Sequence, residues 1–239
     1  MAIIEDDDLN PKCSNCANRF TNVFCKMKYD AMQGIDKEKV CTRYKKGEVI
    51  FKEGSIPFGI YCLNKGKVKL SKTGDDGKEQ IVRLYRPGDP FGYRSLFNEG
   101  RYNASAIAIE DSNVCFVPKE LFVGIIGKDS ELAFEMLRLL SEDLRKAESH
   151  ITNLAQKPVR ERAAEALLFI QETYGFEADG ITINAAFSRE DIANIVGTAT
   201  ETIIRVLSDF NKEEVVMLKG KKILIIDMAK LIKIANTFS

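Results

Sequence analysis

The sequence is poor in the residues and patterns that mark non-globular chains. It has only 6 prolines and 16 glycines among 239 residues, with 45% hydrophobic and 29% charged residues, which excludes collagen-like, low-complexity and disordered chains. No apolar run approaches the roughly 18 residues of a membrane span. The acidic N-terminus lacks the basic and apolar regions of a secretory signal. We therefore expect a cytoplasmic chain without membrane contact, whose cysteines are thiols or metal ligands rather than disulfides.

Signatures of catalysis are also missing. The single histidine, His150, excludes any constellation that needs two histidines, and the sequence has neither a Walker loop nor a metalloprotease motif. The sequence therefore predicts no enzyme. His150 is interpreted as a helix-surface residue, with haem ligation as the alternative. Basic and acidic residues number 35 each, so binding to nucleic acid would need a local basic surface.

Short segments rich in β-branched and aromatic residues follow one another across residues 46–117. Turn residues separate them at intervals of about ten residues, which predicts an antiparallel β-roll or barrel. Asp75-Asp-Gly77 is the best hairpin turn. The strand-like segments are 48–51, 58–63, 67–70, 80–84, 104–109 and 113–117. In the second of these, Cys62 shares a strand face with Phe58 and Ile60, and we expect it in the core.

A heptad pattern of apolar residues follows the strands. Charged residues such as Glu142, Asp143 and Arg145 fill the other positions, as on a solvated face. The narrow seam predicts a dimerisation helix, and an amphipathic helix packed on its own domain is the alternative. The seam residues are Ala133, Leu137, Leu140, Leu144, Ala147, Ile151 and Leu154.

Beyond Pro158 the pattern predicts three helices and a β-hairpin. The middle helix begins at an N-cap, Ser188, with acidic residues in its first turn, and it ends at Gly197. The third helix is expected to be capped by Thr198, with Glu201 completing a capping box. The predicted helices are 160–173, 189–196 and 199–211, and the hairpin covers 215–226.

Two short helices joined by a glycine turn are typical of a helix-turn-helix, although a generic helical hairpin has the same outline. Glu201 and Arg205 lie four residues apart on the second helix and share a face. A Glu can accept a hydrogen bond from cytosine N4, and an Arg can donate to guanine O6 and N7. An ion pair between the two within the helix is the competing interpretation.

The segment 188–207, with Glu-Thr, branched residues and Arg at 201–205, resembles the helix-turn-helix of the CRP/FNR superfamily, which includes the cyclic-AMP receptor protein and the fumarate-nitrate regulator. Residues 44–54, with Gly66 and Pro87-Gly-Asp89, resemble the sensory β-roll of that family. The likeness covers about residues 42–239 in the family order. It implies an α+β protein with an N-terminal antiparallel β-roll (a cyclic-nucleotide-binding-like jelly roll), a long dimerisation helix and a C-terminal winged helix-turn-helix.

The resemblance implies a homodimer that reads a pseudo-palindromic double-stranded operator and contacts RNA polymerase. It makes Glu201 and Arg205 readers of a TGA-like half-site core, and Ser188 and Arg189 phosphate contacts. Ile204 stands where the fumarate-nitrate type has Ser, so the half-site outside the core stays open. The implied DNA-binding set is Ser188, Arg189, Thr200, Glu201, Arg205 and Lys221, and the dimerisation set is Leu137, Leu140, Leu144, Ile151 and Leu154.

Cyclic AMP is not the effector that the resemblance favours. The cyclic-nucleotide members carry a Gly-Glu and an Arg-Ser pair, whose Arg neutralises the phosphate. The matching places here read Gly92-Tyr93 and Asn103-Ala104. Without the Arg the cyclic phosphate would be buried unpaired.

The cysteines predict a different sensor. Cys13, Cys16 and Cys25 form an N-terminal group, and Cys115 stands where the fumarate-nitrate regulator has its fourth cluster ligand. Four thiolates can hold a [4Fe–4S] cluster, although the spacing from Cys16 to Cys25 departs from that family. Cys41 is an alternative fourth ligand, and structural zinc, redox thiols or no metal also stay open. Cys115 alone also fits a small core residue.

We therefore predict a transcription regulator that responds to oxygen, nitric oxide or redox state. The alternative is a small-molecule-binding regulatory subunit that uses its terminal helices for protein contacts. The predicted segments are a cysteine-containing N-terminal segment (1–41), the sensory roll (42–128), the dimerisation helix (129–157) and the DNA-binding domain (158–239).

Overall fold

The structure, a computed structural model of the chain, describes residues 10–19, 27–98 and 100–236. The chain divides into two compact units, Met1–Lys72 with Arg83–Arg145 and Thr73–Val82 with Lys146–Ser239. The four predicted segments stay a prediction, since these units divide the long helix and count one hairpin tip with the second unit. No helix within the described ranges is long and apolar enough to cross a membrane.

The first unit contains the predicted β-roll. Eight strands within the described ranges form two four-stranded sheets of antiparallel pairs, and the turn at Asp75-Asp-Gly77 forms a hairpin as predicted. The strands are β1 (Val40–Tyr44), β2 (Val49–Phe51), β3 (Gly59–Lys65), β4 (Val68–Thr73), β5 (Glu79–Tyr85), β6 (Pro90–Phe91), β7 (Ser105–Ala108) and β8 (Ser112–Pro118). The sheet orders are β1-β8-β3-β6 and β2-β7-β4-β5. The pattern does not predict β1 or β6, because β1 is largely exposed and β6 has two residues.

Aromatic rings fill the interior of the roll. Phe51 stacks on Tyr102 with their ring centroids 3.8 Å apart, and Tyr61 stacks on Phe91 at 5.4 Å. Tyr85 packs against Phe91 in the same cluster. A fully buried aromatic side chain contributes roughly 1.5–3 kcal/mol, so this cluster is one of the apolar cores of the unit.

In the part of the first unit that the structure describes, three short helices and one turn pack outside the sheets. They are a 3-10 turn (Cys13–Asn15) and the helices α1 (Tyr29–Glu38), α2 (Tyr93–Phe97) and α3 (Lys119–Ile126). A second core joins Met32 of α1 and Phe122 of α3 to Leu132 and Met136 of the long helix α4 (Ser130–Gln156). The β-type periodicity of the roll does not reveal these helices.

Helix α4 carries two apolar stripes. Leu132 and Met136 are buried, whereas Leu137, Leu144 and Ile151 of the predicted seam are 60%, 60% and 66% exposed in the single chain. The seam therefore does not pack within its own chain at these positions. The prediction that Asp143 lies on a solvated face is wrong, because Asp143 is buried.

The second unit is a winged helix-turn-helix. Its elements are α5 (Val159–Tyr174), α6 (Arg189–Val196), α7 (Thr200–Lys212), β9 (Val216–Lys219), β10 (Lys222–Ile225) and α8 (Met228–Ala235). Strands β9 and β10 pair antiparallel and form the predicted hairpin, the wing. The predicted capping by Thr198 is wrong: the N-cap of α7 is Ala199, without a side-chain cap. The Thr198 N–H instead donates to the carbonyl of Ala193, which closes the turn between the helices.

Candidate DNA-binding surface and cysteine site

The first helix of the motif, α6, begins as predicted. Ser188 is its N-cap and accepts from the N–H of Asp191, whose carboxylate accepts in turn from the Ser188 N–H. The Ser188 hydroxyl also donates to that carboxylate at 2.6 Å. Gly197 ends the helix at φ +71°, a conformation that side chains with a Cβ rarely adopt. The contact of Ser188 with phosphate stays a prediction, since its hydroxyl proton is engaged within the cap.

Helix α7 separates a buried face from an exposed one. Ile203, Leu207 and Phe210 are buried in the core of the unit. Glu201, Ile204 and Arg205 lie on the exposed side, and Thr200 is half-buried at the start of the helix. This arrangement leaves the predicted base readers accessible along one side of the helix.

Glu201 and Arg205 do not neutralise each other. None of the ion pairs formed among the described residues of the second unit includes either side chain. The interpretation of this pair as an intrahelical salt bridge is therefore not supported by the structure. Both side chains can direct their donors and acceptors outward.

The wing lies beside the start of α6. Arg189 donates through Nη2 to the carbonyl oxygen of Gly220 at the tip of the wing, at 3.1 Å. Lys219 and Lys221 flank this tip and are exposed. Lys222 is paired with Glu177. A basic group of Arg189, Lys219 and Lys221 thus gathers in a unit that is not basic overall.

Sequence reasoning missed a contact of α6 with the hairpin tip 73–82, which belongs to the same unit. Asn194 donates through Nδ2 to Glu79 Oε2 at 3.1 Å, and Gln80 donates through Nε2 to the carbonyl of Ile195 at 3.2 Å. Local periodicity carries no signal for such a contact, since the two partners lie more than a hundred residues apart in the chain.

Two cysteines of the roll form a disulfide. Cys41 on β1 and Cys115 on β8 are register partners and are bonded to each other. The expectation that all cysteines are thiols or metal ligands is therefore wrong for this pair. The two candidates for the fourth cluster ligand are thus bonded to each other. Because the metal ligand is the thiolate, either cysteine can bind metal only after the disulfide is reduced.

Cys62 is expected in the core, but the structure places it at the wall of a cavity. The residue is half-buried, and its side chain lines this cavity of about 70 Å³ together with Cys13, Cys16 and Cys115. Cys25 lies outside the described residues. Among the residues that are described, no three His, Cys, Asp or Glu side chains converge closely enough to hold a metal ion as placed.

Burial favours the protonated form of two thiols at the cavity, those of Cys13 and Cys62. Burial, followed by the nearby Asp36 carboxylate, raises the pKa of Cys13 to about 12. Burial also raises the pKa of Cys62 well above its ordinary value. Since the thiolate is the reactive form, neither group is a reactive nucleophile near neutral pH.

A buried polar network occupies the place where the resemblance puts the ribose-binding Glu. Tyr93, which stands at that position, donates its hydroxyl to Asp143 Oδ2 at 2.5 Å. Arg83 forms an ion pair with the same carboxylate and donates through Nη2 to the Asp143 carbonyl at 3.2 Å. The carboxylate of α4 therefore already satisfies the charge of Arg83.

His150 is half-buried rather than a fully solvated surface residue. Its Nε2 is buried and makes no hydrogen bond to any described residue. Burial lowers its pKa below the ordinary value. Haem ligation stays an untested alternative.

Comparison with known proteins assigns both parts of the chain. Residues 41–129 match the cyclic nucleotide-binding domain family, and residues 161–234 match the Crp-like helix-turn-helix domain family. Both matches agree with the roll and the winged helix-turn-helix described above.

Several relatives align over most of the chain. The anaerobic regulatory protein of Aggregatibacter actinomycetemcomitans is 31% identical over 196 residues, 81% of this chain and 75% of that protein. A CRP-like cAMP-activated global transcriptional regulator of Mycobacterium tuberculosis is 27% identical over 215 residues, 90% of this chain and 96% of that protein. FixK2 from Bradyrhizobium japonicum has a similar structure, with a TM-score of 0.76 and 27% identity over 84% of this chain and 99% of that one.

These relatives are regulators rather than enzymes, as the sequence predicts. The chain carries the helix-turn-helix that binds DNA in such proteins, behind a β-roll and a long helix. The chain therefore belongs to the CRP/FNR family of DNA-binding transcription regulators.

Proposed function

We propose that the chain is a dimeric, sequence-specific regulator that responds to oxygen, nitric oxide or redox state through its cysteines. The observation that carries the DNA-reading part is the exposed, unpaired side of α7 with Glu201 and Arg205, next to the basic wing. In each half-site Arg205 binds the guanine and Glu201 the cytosine of an inner base pair. Arg189, Lys221 and Ser188 contact phosphates, and Thr200 lies at the start of the reading helix.

Two copies are needed to read a pseudo-palindrome. The exposed seam of Leu137, Leu144 and Ile151 supports this, because a stripe of large apolar side chains at heptad spacing is the surface that a second copy covers. Leu140 and Leu154, which are half-buried, complete the seam. A two-fold dimer presents its reading helices to successive major grooves about 34 Å apart. We place this dimer in the cytoplasm, with RNA polymerase as its partner at the promoter.

The cysteines are the proposed sensor. The ligand set from the sequence is Cys13, Cys16 and Cys25, with Cys115 or Cys41 as the fourth thiolate. A [4Fe–4S] cluster, when bound, supplies a centre that reacts with oxygen or nitric oxide. Cys13, Cys16 and Cys115 line one cavity, which supports this set, but the described thiols do not converge as placed, and Cys115 and Cys41 need prior reduction. Zinc and direct thiol oxidation are the other forms of the same sensor.

Cyclic AMP is not proposed as the effector, although one relative bears that activator in its name. Tyr93 replaces the ribose-binding Glu, and Ala104 stands in the second matching pair. Aromatic rings fill the interior of the roll. Arg83, a buried cation of the roll, is already paired with Asp143.

DNA selection from a random duplex pool, followed by gel shifts at several salt concentrations, tests the DNA-reading part. We expect a pseudo-palindrome with a TGA-like core and a steep salt dependence, because phosphate contacts release counterions. A protein that binds no duplex at low salt contradicts this function and favours the small-molecule-binding subunit.

Anaerobic purification tests the sensor. Absorbance spectra with iron, sulfide and zinc analysis are expected to show about four iron atoms per chain if a cluster is bound. Cys13→Ser, Cys16→Ser and Cys25→Ser each abolish it, and Cys115→Ser against Cys41→Ser identifies the fourth ligand. Colourless protein with one zinc identifies a structural site instead. Metal-free protein whose DNA binding ignores oxidants contradicts the sensor while leaving the DNA-reading part intact.

A further inference from the structure

The connection between α4 and the winged helix-turn-helix is short and lies within one compact unit. Helix α4 ends at Gln156 and α5 begins at Val159, so two residues separate the helices. Residues 146–156 of α4, which include the seam residues Ile151 and Leu154, belong to the same unit as the winged helix-turn-helix. This part of the seam is therefore built into the unit that carries the reading helix α7.

Lys157 lies in this connection and bonds to two other helices. Its ammonium nitrogen Nζ donates to Glu165 Oε1 on α5 at 2.6 Å, and to the carbonyls of Ala235 and Asn236 at the end of α8 at 2.9 and 3.3 Å. An ammonium group has three N–H donors, and these three contacts use all of them. Carbonyls at a helix C-terminus favour such a cation. Lys157 therefore ties the end of α4 to both α5 and α8.

Two further contacts hold the end of α4 against α5. Asn153 Nδ2 donates to Glu165 Oε1 at 3.1 Å, the oxygen that also binds Lys157. Arg162 Nη1 donates to the carbonyl of Leu154 at 3.2 Å. The side chains of Lys157 and Glu165 are only 19% and 18% exposed, and salt screens such partly buried pairs less than surface pairs. Side chains of both helices thus fix the angle at which α5 leaves α4.

Helix α4 also reaches the turn of the helix-turn-helix. Gly197, between α6 and α7, lies so close to Leu154 that a Cβ at this glycine would be 3.0 Å from Leu154 Cδ2. Packing this close leaves the turn little room to move past α4. Helix α7 begins at Thr200, three residues after Gly197. The end of α4 therefore supports the reading helix directly.

We propose that Lys157 and Glu165 are positioning residues that set the half-site spacing which the regulator accepts. In a two-fold dimer joined along α4, the distance between the two reading helices depends on the angle between α4 and each winged helix-turn-helix. A joint fixed by these bonds allows one distance and so favours one spacing. One inserted base pair moves the second half-site by about 3.4 Å and rotates it by about 35° around the duplex, which a fixed joint cannot follow. The inference rests on the dimer and the DNA reading of the proposed function.

Gel shifts with operators of altered spacing test the proposal. Full-length protein is titrated with the selected pseudo-palindrome, with versions that have one base pair more or fewer at the centre, and with a single half-site. In the wild type, altered spacing should weaken binding at least about tenfold, the effect expected when a half-site loses a base contact. Lys157→Met keeps the length of the side chain but removes its three donors, and should lower this penalty at least about twofold. Affinity for the single half-site should not change, because no base reader is altered.

Lys233→Met is the matched control. Lys233 is exposed on α8, so the same substitution removes one charge outside the joint, and it should keep the wild-type penalty. Asn153→Ala removes only one of the bonds to Glu165 and decides the question if circular dichroism shows that Lys157→Met does not fold. It should lower the spacing penalty in the same direction, by a smaller factor.

The proposal is overturned if Lys157→Met, or Asn153→Ala in its place, keeps the full spacing penalty. It is also overturned if Lys157→Met weakens every operator equally, the single half-site included, which shows a general structural role or, with a flatter salt dependence, a phosphate contact. A wild type that accepts all spacings equally contradicts the inference and leaves the DNA reading intact. A wild type that binds no duplex contradicts the proposed function itself.

Discussion

Helices α4 and α7 are both amphipathic, but they use their faces differently. Helix α7 buries a single apolar face, with Ile203, Leu207 and Phe210, inside its own unit and leaves a polar side exposed. Helix α4 buries one apolar stripe, leaves a second stripe exposed, and buries the charge of Asp143.

This difference shows which kind of partner each exposed helix face can bind. Most apolar residues of α7 are buried within the chain, and Glu201 and Arg205 form no ion pair with any described residue, so this side of the helix can take a polar ligand such as a base edge. The exposed stripe of α4 is apolar and needs an apolar surface. Large exposed apolar patches of this kind mark association sites.

Leu144→Lys is expected to have the largest effect. In a two-fold dimer the change places two ammonium groups in the seam and removes two buried leucines, each of which contributes roughly 2–5 kcal/mol. The variant should be monomeric by light scattering and should lose operator affinity. It should still fold, since Leu144 is exposed in the single chain.

Thr152→Lys is the matched control for Leu144→Lys. Thr152 is exposed on α4 next to the seam residue Ile151, so the same charge is added outside the seam. It should remain dimeric. If Leu144→Lys also remains dimeric, the exposed apolar stripe of α4 does not bind a second copy. Helices α4 and α7 then do not differ in this respect.

Asp143→Asn tests the buried charge of α4. The change leaves the Arg83 guanidinium buried without its carboxylate, and removal of one partner of a buried pair costs about 3–5 kcal/mol. The midpoint of urea unfolding of the first unit should fall accordingly. Glu142→Gln, which breaks the exposed pair with Arg145, should change stability by about 1 kcal/mol or less. Equal effects of the two substitutions would mean that the Arg83 pair is solvated.

The sequence predicts what depends on near neighbours in the chain. The α6–turn–α7 motif follows from Ser188, Gly197 and the period of the apolar residues, so its cap and its exposed side are predicted correctly. The exposure of Leu137, Leu144 and Ile151 on α4 agrees with the heptad pattern in the same way, while their role in dimerisation stays a prediction. Within the α6–turn–α7 motif the predicted cap of α7 is wrong, because the Thr198 N–H is used to close the turn.

Long-range pairing is what the sequence does not reveal. The burial of Asp143 depends on Arg83 and Tyr93, which lie 60 and 50 residues away. The alignment of Cys41, Cys115 and Cys62 across the first sheet depends on the register of three strands. The local sequence around Asp143 and around these cysteines carries no signal for either kind of pairing.

Arg205→Ala tests the polar side of α7. Loss of the two hydrogen bonds to guanine should cost about 1–3 kcal/mol per half-site and relax discrimination at that base pair alone. Gel shifts with operators that vary at each position measure both effects. If Arg205→Ala weakens random and specific DNA equally, Arg205 contacts the backbone, and α7 does not read this base pair.

Lys221→Ala is expected to have the smallest effect and sharpens the assignment of Arg205, because both substitutions remove one positive charge. Lys221 is exposed beside the wing tip that Arg189 contacts, where a side chain meets phosphate rather than a base edge. Its loss should weaken all sequences alike and flatten the dependence of log Kobs on log salt by about one. The salt slope is measured for the operator and for random duplex with the wild type and both variants. A base-specific loss in Lys221→Ala would transfer part of the readout from α7 to the wing, whereas an unchanged slope would show that Lys221 does not touch the DNA.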